Sequence, residues 1–411
     1  MTKRIVAIIF IFVCTAVAWA ILGSTIFYRT FDTGSRLEGQ VASIWGAPQS
    51  QMPASASYQR VELLTTETTE NGKKKVVTTK THVPTLLPLD SSRVDVGLAL
   101  EHRQKGLLWY SLYNVTFGGA YVFRNSTSEA QDVTFMLTYP AAQANYDDLT
   151  LTLDGRPATL KNEKNFTTVL ARVEAGKTAT LRVSYLSRGL STWTYSFGNE
   201  VAQVRDFQLK MSTDFKDIDF PANSLSPSEK RETPEGKELV WGYKNLVTGN
   251  DIGMVMPEKL QPGPLAGRIS YFAPVSLFFF FFLMFIITTL RGIELHPMNY
   301  FFLAAAFFAF HLLLAYLVDH ISIHAAFVIC SAVSIFLVVS YLRLVVGIRF
   351  AAVEAGLAQF IYLVLFSYAF FFKGFTGLAV TIGSILTLFV VMQMTGRIRW
   401  AEKFANNVPA R

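Results

Sequence analysis

The sequence predicts a membrane α plus all-β protein with six transmembrane helices, one N-terminal and five C-terminal, and a large exported domain of β-sandwich type. Three observations carry this. Of 411 residues, 51% are apolar and only 16% are charged, below the roughly 25% charged residues of soluble chains. The apolar residues gather in two blocks, one opening the chain and one filling it after about residue 270. Between the blocks the apolar spacing changes from helical to alternating, the period of strands. The expected domains are a 1–28 anchor, a 29–268 β-rich domain, a 269–396 five-helix bundle and a basic 397–411 tail.

The first span runs uncharged from Ile5 to Phe27, between Lys3-Arg4 and Arg29, which is long enough to cross a bilayer core. Ala18-Trp19-Ala20 resembles a signal-peptide cleavage site, but the apolar run continues past it to an anchor's length. The second block divides at charged or turn residues into Phe272–Leu290, Met298–Val318, Ser322–Val346, Phe350–Phe372 and Phe375–Met394. Pro257, Pro262-Gly263-Pro264 and Pro274 are read as a stiff approach to the first of these, since proline ends or kinks helices. Loop charges alternate. Arg291, Arg343 with Arg349, and the tail's Arg397, Arg399, Lys403 and Arg411 fall on one side; only Asp319 and Lys373 fall on the other. By the positive-inside rule both termini are cytoplasmic and residues 29–268 are exported. The same flanking Arg and Lys account for much of the +7 charge, so no nucleic-acid partner is needed to explain it.

In the middle domain, Val61–Thr69 and Lys73–His82 flank Asn71-Gly72, the pair that a type I′ hairpin favours. Leu149–Leu153, Asp154-Gly155 and Ala158–Leu160 read as a second hairpin, and Val133–Thr138, Thr178–Tyr185 and Val204–Met211 as further strands. One enlarged sandwich and two consecutive ones, divided near residue 198, both fit. Trp109-Tyr110 with Tyr113, Trp193 with Tyr195, and Trp241 with Tyr243 could form a glycan platform, but alternate aromatics on a strand share one face and pack as core.

Catalytic patterns fail on inspection. Gly176-Lys177-Thr178 ends like a phosphate loop, but Ala171 stands where its first glycine belongs. Ser191 follows Gly189-Leu190, yet Trp193 replaces the second glycine of a nucleophile elbow. His82 and His102 read as solvated surface groups without a nucleophile beside them. The chain is therefore read as non-enzymatic, with no cofactor. Asp319, His320 and His324 could hold a metal if helical, since His320 and His324 are spaced i, i+4. The loop pattern instead makes them a turn, with Asp319 or Ser322 capping the next helix. His311, inside the third span, is read as hydrogen-bonded to a neighbouring helix, and Glu354 as paired with Arg343 or Arg349.

Glu294-Leu295-His296-Pro297-Met298-Asn299-Tyr300, then Asp319-His320-Ile321, then Thr395-Gly396-Arg397-Ile398-Arg399-Trp400 together resemble the CreD family of bacterial inner-membrane proteins. Ile44-Trp45-Gly46 followed by Gln49 resembles an element just after that family's first span. The chain departs from the family at Asp319, where glutamate is usual, at the basic Phe372-Lys373-Gly374 loop, and in the charges of the closing motif. The resemblance implies a role in cell-envelope integrity and envelope stress, and it brings no catalytic residues. The expected partners are the lipid bilayer and an envelope protein or glycan bound by the β domain, and a homo-oligomer is compatible with this reading. The alternative is a small transporter or signal transducer using His311 and Glu354. An enzyme acting on peptidoglycan or protein ranks third.

Reporter fusions test the topology. A fusion at Thr150 should be active only as a periplasmic reporter, and fusions at Glu294 and after Arg411 only as cytoplasmic ones. A periplasmic signal from the C-terminal fusion would sink the even span count.

Overall fold

The computed structural model describes residues 2–70, 73–106, 108–142, 144–198, 201–372 and 374–396. The chain forms two compact units: Met1–Arg36 with Gln104–Trp109 and Leu260–Arg411, and Leu37–Arg103 with Tyr110–Lys259.

The first unit is helical. α1 (Thr2–Trp45) is followed after the β region by α2 (Pro262–Arg291), α3 (Pro297–Leu317), α4 (Ile323–Val345), α5 (Phe350–Phe371) and α6 (Thr376–Thr395). Among the described residues, six helices are long and apolar enough to span a membrane. With no water in a bilayer core, each must satisfy its backbone internally, and a helix does so.

Two helix boundaries differ from the sequence reading. α1 continues beyond the apolar span to Trp45, because no proline interrupts it. It ends at Gly46, whose φ of 124° leaves helical geometry. α2 begins at Pro262 rather than Phe272 and contains Pro274. Proline at a helix start replaces an N–H that has no partner there, so Pro262 and Pro264 open the helix. Inside a membrane helix a proline is tolerated when neighbouring groups re-satisfy the backbone. α5 is unusual in being π-helical over Phe350–Ala355 and Phe360–Leu365.

The second unit is built from β1 (Gln49–Gln51), β2 (Ser55–Glu70), β3 (Lys73–Leu86), β4 (Leu89–Lys105), β5 (Leu108–Arg124) and β6 (Gln131–Thr138). It continues through β7 (Tyr146–Leu153), β8 (Arg156–Pro157), β9 (Lys161–Asn162), β10 (Phe166–Val173), β11 (Thr178–Leu190) and β12 (Thr192–Tyr195). β13 (Ala202–Thr213), β14 (Glu229–Glu232), β15 (Lys237–Thr248) and β16 (Ile252–Val255) complete it. These make an eight-stranded sheet ordered β14-β15-β13-β4-β5-β11-β7-β8, a five-stranded sheet β3-β2-β6-β10-β9, and a small sheet β1-β12-β16.

Both expected hairpins are present. β2 and β3 pair from Ser57↔Leu86 to Glu70↔Lys73; the Asn71-Gly72 turn itself lies outside the described residues. β7 turns into β8 through Asp154 and Gly155, both at positive φ (49° and 79°), as a type I′ turn requires. Its returning strand is Arg156–Pro157, short of the expected Ala158–Leu160.

Alternation builds the core. On β4 Val94, Val96 and Leu98 face inward, and on β11 Ala179, Leu181, Val183 and Tyr185 do so. They meet Val133, Phe135 and Leu137 of β6 in one buried cluster that takes in all three sheets. Each such side chain removed from water contributes about 1.5–3 kcal/mol. Tyr113, Trp193, Tyr195 and Trp241 are buried in this cluster, so these aromatics pack the sandwich rather than form an exposed platform. The residue-198 boundary adjoins Asn199–Glu200, outside the described residues.

Buried polar groups pin the core. The Tyr185 hydroxyl donates to Gln51 Oε1 at 2.7 Å, whereas the buried Tyr195 hydroxyl, beside that of Tyr121, makes no hydrogen bond of good geometry among the described residues. Burial pushes both phenols well above their usual range. Tyr185→Phe strands the Gln51 carbonyl oxygen and should cost about 1–3 kcal/mol. Tyr195→Phe removes an unpartnered group and should be close to neutral. Denaturant unfolding of the purified protein, followed by near-UV circular dichroism, distinguishes them, and equal losses would contradict this reading of the core.

Candidate functional site

The Asp319–His324 segment connects α3 to α4. The backbone N–H groups of Asp319 and His320 donate back to Tyr316 and Leu317 oxygens, and Ser322 Oγ accepts from Ala325 N–H, capping α4. Asp319 pairs with Arg29 of α1 at 3.3 Å. Arg29 also donates to the Ala315 carbonyl at 2.8 Å and stacks over Tyr316. His320 and His324 are exposed, the latter with its ring 5.2 Å from Phe371. Among the described residues no three His, Cys, Asp or Glu side chains gather where they could hold one metal ion.

His311 is fully buried, but its partner differs from the expectation. Its Nδ1 lies 2.9 Å from the Phe307 carbonyl of its own helix, so that nitrogen donates and Nε2 carries the lone pair. The carbonyl of a residue four positions earlier is the acceptor nearest a helical side chain, which is why no helix is crossed. What crosses is a ring contact: Trp19 of α1 meets the imidazole edge-on at 5.4 Å. Trp19, buried at the centre of the tripeptide that resembles a cleavage site, also packs on Phe308.

Glu354 pairs with Arg291, at the end of α2, at 2.5 Å, not with Arg343 or Arg349. Arg291 occupies the last turn of α2, where the helix dipole favours a cation. Five residues on, the fully buried Gln359 donates to Ser334 Oγ at 2.8 Å, and Ser334 donates to the Ala306 carbonyl at 2.7 Å. This chain joins α5, α4 and α3. Sequence reasoning missed Gln359 and Trp19 because each is one residue in an otherwise apolar span.

The quoted His296–Tyr300 motif has a local role at each residue. His296 Nδ1 accepts from Met298 N–H, and Pro297 opens α3. Asn299 Oδ1 accepts from Tyr341 on α4 at 2.7 Å, and Tyr300 is fully buried against Phe281. The closing motif from Arg397 onward, and Lys373, lie outside the described residues.

In the β unit the expected surface histidines divide. His82 is exposed, but His102 is half-buried and its Nε2 lies 2.9 Å from the Pro257 carbonyl. The same alternation that builds the core sets Arg93, Asp95, Arg182 and Ser184 on the outer face of the eight-stranded sheet. There a trough of about 390 Å³ is lined by these four, by Thr150 and Thr152, and by the small Gly119 and Ala120. Register makes it continuous: Arg182 lies between Ala120 and Thr152, and Ser184 pairs with Thr150, whose hydroxyl is 2.7 Å from its own. Arg93 is held by Asp206 at 2.7 Å. Arg182 and Asp95 have no ion-pair partner among the described residues.

A family model described as inner membrane protein CreD matches residues 254–401. No curated protein matches the chain. Among solved structures, a Legionella pneumophila protein described under nutrient binding is similar at 8% identity and a TM-score of 0.31, covering 47% of this chain and 74% of that one. An M1 zinc metallopeptidase from Deinococcus radiodurans is similar at 12% identity and a TM-score of 0.27, covering 41% of this chain and 42% of that one. Likenesses this slight bear on neither fold nor function.

In detergent, Trp19→Ala should lower the melting temperature by an amount corresponding to about 3–5 kcal/mol. His311→Leu trades a ring contact of about 0.5–1.5 kcal/mol for removal of an unpartnered nitrogen and should shift it little. A loss at His311→Leu as large as at Trp19→Ala would show that Nε2 has a bonded partner.

Proposed function

We propose that this chain, a CreD-family membrane protein by its match over residues 254–401, maintains the cell envelope or answers envelope stress without catalysis. In this reading both termini are cytoplasmic, the β unit lies in the periplasm, and its trough binds a glycan strand or peptide segment of an envelope component. The trough is the observation that carries the reading. It offers one cation and one anion without an ion-pair partner among the described residues, and a row of hydroxyls over a floor kept low by the small outward-facing Ala120. Such a surface suits a polar, uncharged or zwitterionic chain, which satisfies hydrogen bonds along its length without a large charge to neutralise. Asp95 is the one carboxylate among its lining residues, and among the described residues no hydrogen bond joins it to the Ser184 or Thr150 hydroxyl, which bond each other instead; this favours binding over turnover.

A photo-crosslinking amino acid at Thr152 in living cells should capture one discrete envelope component. Capture should fall at least about tenfold with Arg182→Ala, the loss of one charge-assisted hydrogen bond, and with Ala120→Trp, which fills the trough. Capture indifferent to both substitutions, or hydrolysis of an envelope polymer by the purified protein, would overturn the proposal.

A further inference from the structure

Arg4, at the start of α1, carries a charge with no ion-pair partner among the described residues. Its Nε and Nη2 are buried and have no hydrogen-bond partner among the described residues. The guanidinium carbon lies 6.0 Å from the Phe285 ring centre and 5.9 Å from that of Tyr300. Cation–π attraction offsets part of the desolvation, but a guanidinium has five donors and ring faces accept none of them in the bidentate manner of a carboxylate or phosphate. The buried Tyr300 hydroxyl beside it is also unpartnered. Two donor groups close to one another thus lack an acceptor among the described residues.

A cavity of about 460 Å³ opens along the same two helices, between α1 and α2. Ile5, Ile8, Phe12, Phe278, Phe281 and Phe285 are among its lining residues, and its surface is almost wholly apolar. Phe285 belongs to both features, forming the wall of the cavity and a face over Arg4. The cavity is open outward, since Ile9, Val13 and Phe278, which also line it, are half exposed or more. On a spanning helix that outward side is the bilayer.

We propose that this cleft binds an anionic phospholipid of the surrounding membrane, with an acyl chain in the apolar groove and the phosphate accepting from Arg4 and Tyr300. The occupant follows from the two halves of the site. A free anion would leave the groove empty, and a neutral hydrocarbon would leave the guanidinium unpaired. A diacyl phosphate satisfies both, at a helix end where headgroups lie.

The test uses the full-length protein in detergent, with melting temperature and native mass spectrometry as readouts and phosphatidylglycerol, phosphatidylcholine and glycerol phosphate as probes. Phosphatidylglycerol should stabilise the wild type and bind about tenfold more tightly than phosphatidylcholine, whose choline cation offsets the phosphate charge beside Arg4. Glycerol phosphate should do neither. Arg4→Gln should abolish the preference, Arg4→Lys should retain part of it, and Ile9→Trp should weaken both lipids together. Equal binding of the two lipids by the wild type overturns the proposal, as does stabilisation by glycerol phosphate or a preference that survives Arg4→Gln. The wild-type comparison decides the matter even where a variant does not fold.

Discussion

The β unit depends on how its two ends are tied. β1 runs parallel to β12 and β16 runs antiparallel to it, so Gln49 and Met254 flank the same residue, Trp193. A β unit is tied at its ends most simply when its first and last strands, opposed in direction, are held on one common partner. The small sheet supplies that. Its first strand is held by side chains as well as ladder bonds: buried Gln49 donates to Ser187 Oγ at 2.8 Å and to the Arg188 carbonyl at 2.9 Å, while Gln51 takes the Tyr185 hydroxyl. Gly46 comes so near Arg188 that a Cβ would lie 2.4 Å from its carbonyl oxygen. This gives the Trp45-Gly46…Gln49 element a physical meaning: glycine for the approach, glutamine to hold a buried polar strand.

The helical unit solves a different problem with few polar groups. Apolar contact alone does not drive helices together in lipid, so packing and interhelical hydrogen bonds set the arrangement. Tyr341 to Asn299 joins α4 to α3, Tyr362 to Thr387 joins α5 to α6, and Ser276 to the Tyr362 carbonyl joins α2 to α5. Each uses a neutral donor, which costs far less at depth than a charge. The ion pairs, Arg29–Asp319 and Arg291–Glu354, sit near the ends of the apolar spans. Where α5 leaves α-helical geometry, π-type turns bracket Gln359, and such turns are often found where a side chain must be aimed.

Local pattern was enough to place the six spans and both hairpins, because length, apolar content and a two-residue turn are properties of contiguous residues. It could not say which strands pair across the roughly 30 to 60 residues that separate Arg182 from Thr152 and Ala120, so the trough, assembled from four strands by register, was invisible. Glu354 was given the wrong arginine for the same reason: Arg343 and Arg349 are near in sequence, Arg291 near in space. The proline-rich approach to α2 misled because a proline's effect depends on its place in the helix, and the first turn accommodates it. His311 was assigned an interhelical bond on depth alone, when the nearest acceptor was its own preceding turn.

The placement of β12 bears on the order of assembly. Chains are made from the N-terminus, and β1 is synthesised some 140 residues before Trp193, Thr194 and Tyr195, its partners in the ladder. Until then the β1 backbone has no ladder partner in β12. β16 follows later still and closes the other side. Contacts so distant along the chain delay folding, since the loop must be closed before they reward it. The strand leaving α1 is therefore among the first made and the last secured, and synthesis of α2 begins within a few residues of the moment when the β unit can first be completed.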